Sequence, residues 1–262
     1  MARSLHNRRQ IVLSASAFLA APCLVRPAGA QTRARLNEVI SLPGDITSGE
    51  QATVTRVRTD RPLVAMTFDD GPHASLTPQL LDILGARSIR ATFYVIGNRV
   101  ARHPQLMQRM VAAGHEVGNH TWSHPSMYGL SDAAVLSQID RTSQVIYDTV
   151  GRPPVTMRPP YGNAYPRQRL MIHQARNLPT VLWSVDPEDW RRPGSSVVAH
   201  RIISASHPGA VVLAHDIHAP TVRAMPAALD GLLARGFQFV TMSELLGWPR
   251  WDSRRIRLVA AS

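Results

Sequence analysis

The chain has 262 residues, with 29 basic and 18 acidic side chains, a formal net charge of +11 and one cysteine. That length suits one large domain, and a single cysteine excludes both an internal disulfide and a cysteine-based zinc site. All the basic side chains are arginine, and they form no basic cluster interleaved with aromatics, so we expect no nucleic-acid partner.

Residues 1–30 are predicted to be a signal peptide. A basic start is followed by an apolar run and by the small residues AGA at 28–30, which fit a cleavage site. The apolar run is too short to span a membrane and no later segment is long enough, so we expect an exported protein, periplasmic or secreted. Arg8 and Arg9 are compatible with the twin-arginine route, but such pairs also occur in ordinary signals. Cys23 would be removed with the signal.

Residues 31–60 are polar and turn-rich and are predicted to be a lead-in segment without a core of its own. Apolar runs then predict strands at residues 63–68, 91–96, 116–119, 155–158, 180–185, 210–214 and 237–241. Helix-like segments lie between them, several beginning at Ser or Thr and ending at Gly. This alternation predicts a single α/β domain, residues 61–247, with about seven parallel strands in a complete or incomplete barrel, rather than an open nucleotide-binding sheet.

Reactive side chains follow these predicted strands repeatedly. The segments are TFDDG, HTWSH, RPPYG, DPEDW and LAHD, after the first, third, fourth, fifth and sixth strands. Catalytic groups of barrels of this class collect at the carboxyl ends of strands. Each segment alone is also compatible with a structural role, such as a solvated turn, a structural histidine pair or a rigid loop. Their occurrence at five strand ends favours a catalytic site.

The histidine and aspartate pairs indicate a metal centre. His120 and His124 can bind one ion if the segment between them is helical or tightly turned, and one carboxylate completes a facial set of ligands. Consecutive side chains diverge at a strand end, so one of Asp69 and Asp70 can hold the ion while the other acts as a base. The residues alone leave open which carboxylate does which.

Together the five motifs resemble those of the polysaccharide deacetylases, the NodB-homology domain of carbohydrate esterase family 4, over roughly residues 60–245. The resemblance implies a distorted (β/α) barrel and metal-dependent removal of N-acetyl groups from N-acetylglucosamine units of a peptidoglycan-like or chitin-like glycan. One divalent ion is implied; zinc is the expected one, and cobalt, nickel and manganese are chemically acceptable. We expect a monomer whose partner is the acetylated glycan.

The resemblance also implies a role for each motif residue. The implied metal ligands are Asp70, His120 and His124. The implied catalytic residues are Asp69 as base, Arg158 orienting that base, Tyr161 donating its backbone N–H to the oxyanion, His215 as general acid and Asp189 steering the charged partners. The implied substrate-binding residues are Pro160, Trp190 and Leu213, of which Trp190 and Leu213 wall the acetyl pocket.

Several alternatives remain open at this point. One is a hydrolase of a small amide or imide on the same barrel, and another is a non-catalytic glycan-binding domain, which would need neither the base Asp69 nor the acid His215. A glycosidase is disfavoured because no separate carboxylate pair is found. The other histidines are interpreted as structural, although His218 could border the sugar groove. The basic tail, residues 248–262, either contacts an anionic glycan or lipid or closes the barrel.

Overall fold

The computed structural model describes residues 34–35, 42, 44–253 and 257–258. The predicted signal peptide, with Arg8, Arg9 and Cys23, lies outside the described residues, as does part of the basic tail. Within the described part of the chain, no helix combines the length and apolar character needed to cross a membrane.

The domain is an α/β fold built on parallel strands, as predicted. Its strands are β1 Ala34–Arg35, β2 Thr53–Val54, β3 Leu63–Asp69, β4 Thr92–Val95, β5 Glu116–Asn119, β6 Thr180–Val181, β7 Ala210–His215, β8 Gln238–Phe239 and β9 Arg257–Leu258. The pairs between β5 and β4, β4 and β3, β3 and β7, and β3 and β8 are all parallel. β1 pairs with β9 in a separate antiparallel ribbon.

Isolated bridges and short ladders join the two edges of this sheet into a barrel. Met157 bridges β5 to β6, and β2 pairs in parallel with β6. Just past β6, the Ser184 and Val185 amides donate to the Val211 carbonyl of β7. The parallel ladder is therefore continued around the barrel by short contacts rather than by long strands.

Side-chain alternation along β3 divides the core in two. Every residue of this strand is buried, which is expected of a central parallel strand covered on both faces. Val64, Met66 and Phe68 pack with the helices outside the barrel, while Leu63 and Ala65 pack inside it. Because side chains alternate with a period of two, Asp69 is directed toward the barrel interior.

Helices cover the outside of the barrel. They are α1 Leu76–Gly85, α2 Gly97–Arg102, α3 Pro104–Ala112, α4 Asp132–Val150, α5 Pro166–Arg176, α6 Ser195–Ala205, α7 Ala219–Ala234 and α8 Met242–Leu245, with 3₁₀ turns at Pro160–Gly162, Asp189–Arg191 and Trp251–Ser253. In α4, the Ser131 side chain caps the first turn and Gly151 ends the helix in the left-handed conformation, as the sequence predicted.

Three predicted strands are shorter than expected. The predicted strand at 155–158 is reduced to a bridge at Met157, because prolines on both sides of it donate no N–H group to a ladder. The strand predicted at 180–185 is regular only at Thr180–Val181, and that at 237–241 only at Gln238–Phe239.

The segments on either side of the predicted domain also pack against the barrel. The lead-in segment contributes β2 to the sheet and the fully buried Ala52 to the interior. In the described part of the tail, Trp251 is 3% exposed and its indole N–H donates to the Pro153 carbonyl. Trp251 therefore packs against the barrel, which supports the structural interpretation for this part of the tail.

Candidate active site

The aspartate pair at the end of β3 separates into two directions. Asp69 is the last residue of the strand and is 3% exposed. Asp70 has a φ of 74°, a left-handed conformation that non-glycine residues seldom adopt. Its carbonyl accepts a hydrogen bond from Arg99 Nη1 at 2.9 Å. The turn at Asp70 therefore sends the two neighbouring carboxylates to different partners.

Asp70 faces both histidines of the HTWSH segment. Its Oδ1 lies 3.4 Å from His120 Nε2 and 3.2 Å from His124 Nε2. Thr121 and His124 have φ values of 65° and 59°, so the segment is a tight turn rather than a helix. This turn brings the two imidazole rings to a centroid distance of 5.0 Å.

A backbone contact orients the first imidazole. His120 Nδ1 lies 2.7 Å from the Arg158 carbonyl oxygen, which can only accept, so Nδ1 carries the proton and donates it. The opposite nitrogen, Nε2, is then the one with a lone pair, and it points toward Asp70. Such an outer hydrogen bond is the usual way that a ligating histidine is fixed in one tautomer.

Asp70, His120 and His124 have the chemistry of a divalent metal site. One ligand atom from each lies within 4.8 Å of the others, and Asp70 Oδ1 is a buried oxygen without a hydrogen-bond partner among the described residues. Burial acts to raise the pKa of Asp70, but His120 and His124 outweigh it and hold that pKa well below its usual value. Burial and the neighbouring His120 lower the pKa of His124. Two imidazoles and a carboxylate suit zinc, cobalt, nickel or manganese.

Arg158 fixes the other carboxylate from inside the barrel. This arginine is fully buried, and its Nη1 donates to Asp69 Oδ1 at 2.6 Å and to Thr67 Oγ1 at 2.8 Å. Its other nitrogens donate to the carbonyls of Val181 and Leu182. A buried guanidinium is tolerated only when it is paired and hydrogen-bonded in this way. With Oδ1 held, Asp69 Oδ2 faces the metal ligands, 3.8 Å from His120 Nε2.

A second histidine–carboxylate pair lies at the end of β7. His215 Nδ1 is 2.8 Å from Asp189 Oδ1, and the His215 backbone N–H donates to Asp189 Oδ2, also at 2.8 Å. Burial acts to lower the pKa of His215, but Asp189, together with the charges of Asp69 and Asp70, raises it to about 9. His215 is therefore protonated at neutral pH and can donate a proton.

Comparison with known proteins identifies the family. The polysaccharide deacetylase family model matches residues 56–180. The chain is 39% identical over 197 residues to a Bradyrhizobium chitooligosaccharide deacetylase, covering 70% of this chain and 90% of that protein. It belongs to the polysaccharide deacetylase family. The resemblance stated from the motifs is thus confirmed.

Two further relatives have names that refer to peptidoglycan. The chain is 38% identical over 203 residues to the peptidoglycan-N-acetylglucosamine deacetylase of Listeria monocytogenes, covering 74% of this chain and 43% of that longer protein. The crystal structure of the Bc1960 peptidoglycan N-acetylglucosamine deacetylase superposes with a TM-score of 0.73 at 30% identity, covering 76% of this chain and 94% of that one. The barrel fold is therefore shared with a solved deacetylase.

Strained turns present the remaining motif residues of the candidate site. Glu188 and Arg192, on either side of the turn Asp189–Arg191, both have left-handed backbones, and the turn directs Asp189 inward while Trp190 remains 49% exposed. Tyr161 is also left-handed, with a φ of 59°, and its ring lies 4.6 Å from that of His124. Strain of this kind concentrates at functional sites.

The two other predicted pocket residues are buried. Pro160 begins the 3₁₀ turn that carries Tyr161, so the Tyr161 N–H belongs to the first turn of a helix, where amides lack partners within the helix. Leu213 is 3% exposed and lies opposite Thr67 in the β3–β7 ladder. Pro160 thus directly precedes Tyr161, and Leu213 lies two residues before His215.

The candidate site contains supporting residues that the sequence did not predict. Arg99 donates to the carbonyl of Asp70, and Thr67 accepts from Arg158. Thr221 Oγ1 donates to Asp189 Oδ2 at 2.8 Å. Asp216 lies within the LAHD motif but received no role; it is fully buried and accepts a hydrogen bond from Thr77. Burial raises the pKa of Asp216 to about 7. Thr67, a polar residue within an apolar strand, was the one signal available.

Proposed function

We propose that this protein is a metal-dependent N-deacetylase that removes acetyl groups from N-acetylglucosamine units of a polysaccharide or oligosaccharide, either peptidoglycan or chitin-like. The observation that carries the proposal is that two ion pairs, Asp69–Arg158 and His215–Asp189, lie beside one possible metal site. Asp69, paired with Arg158, supplies a carboxylate, and His215, paired with Asp189, supplies a protonated imidazole. Amide hydrolysis needs such a base and such an acid.

Asp70, His120 and His124 would hold the divalent ion in this proposal, with zinc as the expected metal. An ion bound there supplies Lewis-acid chemistry, polarising the acetyl carbonyl and lowering the pKa of a water molecule. The buried Oδ1 of Asp70 and the lone pairs on the two Nε2 atoms make the three residues suitable ligands.

Asp69 is proposed as the general base. Arg158 occupies its Oδ1 at 2.6 Å and leaves Oδ2 directed toward the metal ligands, so Oδ2 can accept the proton of the water that attacks the acetyl carbon. Negative charge then develops on the carbonyl oxygen. The Tyr161 backbone N–H is proposed to donate to it, and one such donor typically lowers the barrier by about 3 kcal/mol.

His215 is proposed as the general acid. Because its pKa is raised to about 9, it carries a proton at neutral pH and can deliver it from Nε2 to the departing nitrogen as the C–N bond breaks. Asp189 holds the opposite nitrogen, Nδ1, at 2.8 Å. The products are acetate and a free amino sugar. Trp190, Leu213 and Pro160 are proposed to line the pocket of the acetyl methyl group.

The proposal includes export. The predicted signal at residues 1–30 and the cell-wall names of two relatives support a periplasmic or secreted location. The proposed mature domain covers residues 61–247, preceded by the lead-in 31–60 and followed by the tail 248–262.

Acetate release tests this function directly. The purified protein, supplied with zinc, is incubated with N-acetylglucosamine oligomers, peptidoglycan and a panel of small amides and imides, and released acetate or ammonia is measured. We expect acetate from the glycans. Turnover of small amides or imides alone would favour the alternative hydrolase, and glycan binding without turnover would favour a binding domain.

A further inference from the structure

The described residues expose a small set of large apolar side chains, and most of them are aromatic. They are Tyr128, Tyr161, Tyr165, Trp190, Val197 and Leu233. The two aliphatic members lie on the outer helices α6 and α7, whereas Tyr161 and Trp190 lie within the site motifs and Tyr128 and Tyr165 follow them along the chain. Exposed aromatic rings grouped near a site mark a binding surface more often than rings scattered singly.

Two of these rings form a pair that the deacetylation chemistry does not use. Tyr128 and Tyr165 are 44% and 46% exposed, and their ring centroids are 4.4 Å apart with an interplanar angle of 36°. We name this pair the tyrosine platform. Tyr128 comes four residues after His124 and Tyr165 four residues after Tyr161. The rings of His124 and Tyr161 are also in contact, so each tyrosine of the platform follows, by four positions, one of two site residues that contact each other.

A buried amide holds the platform together. Gln168 is fully buried. Its Oε1 accepts the Tyr165 backbone N–H at 2.9 Å, and its Nε2 donates to the Met127 carbonyl, also at 2.9 Å. A buried amide is costly unless both ends are bonded in this way. Gln168 thus joins the loop that contains Tyr128 to Tyr165, the residue just before α5. The two rings are therefore held together without a ligand.

We propose that the tyrosine platform is a sugar subsite, which binds the pyranose ring next to the unit being deacetylated. This inference rests on the proposed function and adds a requirement for more than one sugar unit. A pyranose has an apolar C–H face and a polar hydroxyl edge, so it packs on an aromatic face while its hydroxyls stay in water. Two rings fixed in advance bind it with little loss of conformational entropy.

The test compares binding with turnover for Tyr128→Ala, Tyr165→Ala and the double variant. The substrate is the N-acetylglucosamine tetramer. We expect KM and the calorimetric Kd to rise about 3- to 10-fold for each single variant, the size of one aromatic contact, with kcat unchanged. Tyr165→Phe should restore the wild-type values, because the ring and not the hydroxyl makes the contact. Leu233→Ala is the matched control, since it truncates an exposed side chain on α7, and it should change neither value.

The outcomes separate the subsite from the proposed function. Tyrosine variants that bind the tetramer as tightly as wild type would overturn the subsite, as would a fall in kcat with KM unchanged. If wild type releases no acetate but binds the tetramer, and the alanine variants bind it more weakly, the subsite stands and the deacetylase function fails. A wild type that binds no oligomer at all overturns both.

Discussion

The two ends of the barrel both bury charged side chains, but they use them differently. At the carboxyl end of β3, Asp69 Oδ2 and the three metal-site residues converge on one another. At the start of β5, at the opposite end, Glu116 is 1% exposed and accepts hydrogen bonds from the Ser243 backbone N–H at 2.8 Å and hydroxyl at 3.0 Å. One carboxylate thus faces a possible ligand site, and the other connects two elements of the fold.

The histidines at the two ends show the same contrast. His215 is held by Asp189, which raises its pKa to about 9. His115 is 1% exposed, accepts the Ala91 backbone N–H at Nδ1, and has its pKa lowered to about 4 by burial and the charge of Arg90. Barrels of this class place chemistry at the carboxyl end and stability at the other. Substitutions at the two ends should therefore affect different measurements.

The largest expected effect is on kcat and comes from substituting Asp69 and Asp70 one at a time. Asp69→Asn should lower kcat about 10²- to 10⁴-fold, because an amide cannot accept the proton of water. Its oxygen can still accept from Arg158, so zinc content should stay near wild type, but the buried guanidinium loses its counter-charge, so thermal stability should fall. Asp70→Asn should instead lose zinc and regain part of its activity in excess zinc. Elemental analysis with zinc titration measures both, and zinc loss in Asp69→Asn with retention in Asp70→Asn would reverse the assignment.

A smaller effect on kcat is expected at the His215–Asp189 pair. Wild-type activity should fall as pH rises through about 9, where His215 loses its proton. Asp189→Asn removes the charge that raises this pKa, so the alkaline fall in kcat should move to lower pH and cost about tenfold at pH 8. The measurement is the pH profile of kcat for both proteins. An alkaline limb at the same pH in the variant would show that Asp189 does not set it.

At the opposite end of the barrel, His115 should make the free energy of unfolding decrease as pH falls below about 6.5. Its pKa is about 4 in the folded chain against about 6.5 unfolded, so the unfolded chain binds the proton first as pH falls. The His115 contribution is therefore complete above pH 6.5 and is lost as pH falls toward 4, by at most about 3 kcal/mol.

His115→Gln isolates this contribution. Glutamine keeps an acceptor for the Ala91 N–H but gains no proton, so the difference in unfolding free energy between wild type and variant should decrease from pH 6.5 to 4. The comparison must be made against the variant because Asp216, whose pKa is raised to about 7, makes stability rise as pH falls through that range. Denaturant titrations across pH measure the difference, and a constant difference would contradict the assignment.

The smallest expected effect is that of Glu116→Gln. One oxygen that accepts from Ser243 becomes an NH₂ group, but the Ser243 hydroxyl can reverse and accept from it, so we expect the fold to be destabilised by only about 1 kcal/mol. Turnover and zinc content at 25 °C should be unchanged, because Glu116 lies at the end remote from the catalytic pairs. Thermal unfolding and acetate release measure the two properties, and a large fall in kcat in a stable variant would show that the two ends are coupled.

The sequence by itself determined the fold class and predicted which residues collect at the candidate site. Apolar runs of strand length alternating with capped helical segments predicted the parallel barrel, and reactive residues at five strand ends predicted where they would meet. His120 and His124 could be anticipated as a pair because they lie four residues apart, whereas the residues alone left open which of Asp69 and Asp70 joins them, and only the family resemblance implied Asp70. These signals are local, since they depend on side-chain period, capping and spacing.

Only the tertiary structure decided how those residues pair. Arg158 reaches Asp69 and Thr67 because strands far apart in the chain lie side by side, and Asp189 meets His215 for the same reason. Register across the sheet also decided that β2 joins the barrel and that residues 155–158 supply only a bridge at Met157. Propensity and periodicity describe neighbours along the chain, whereas these contacts depend on which strands pack together, so the orientation of the base and the acid follows from the fold.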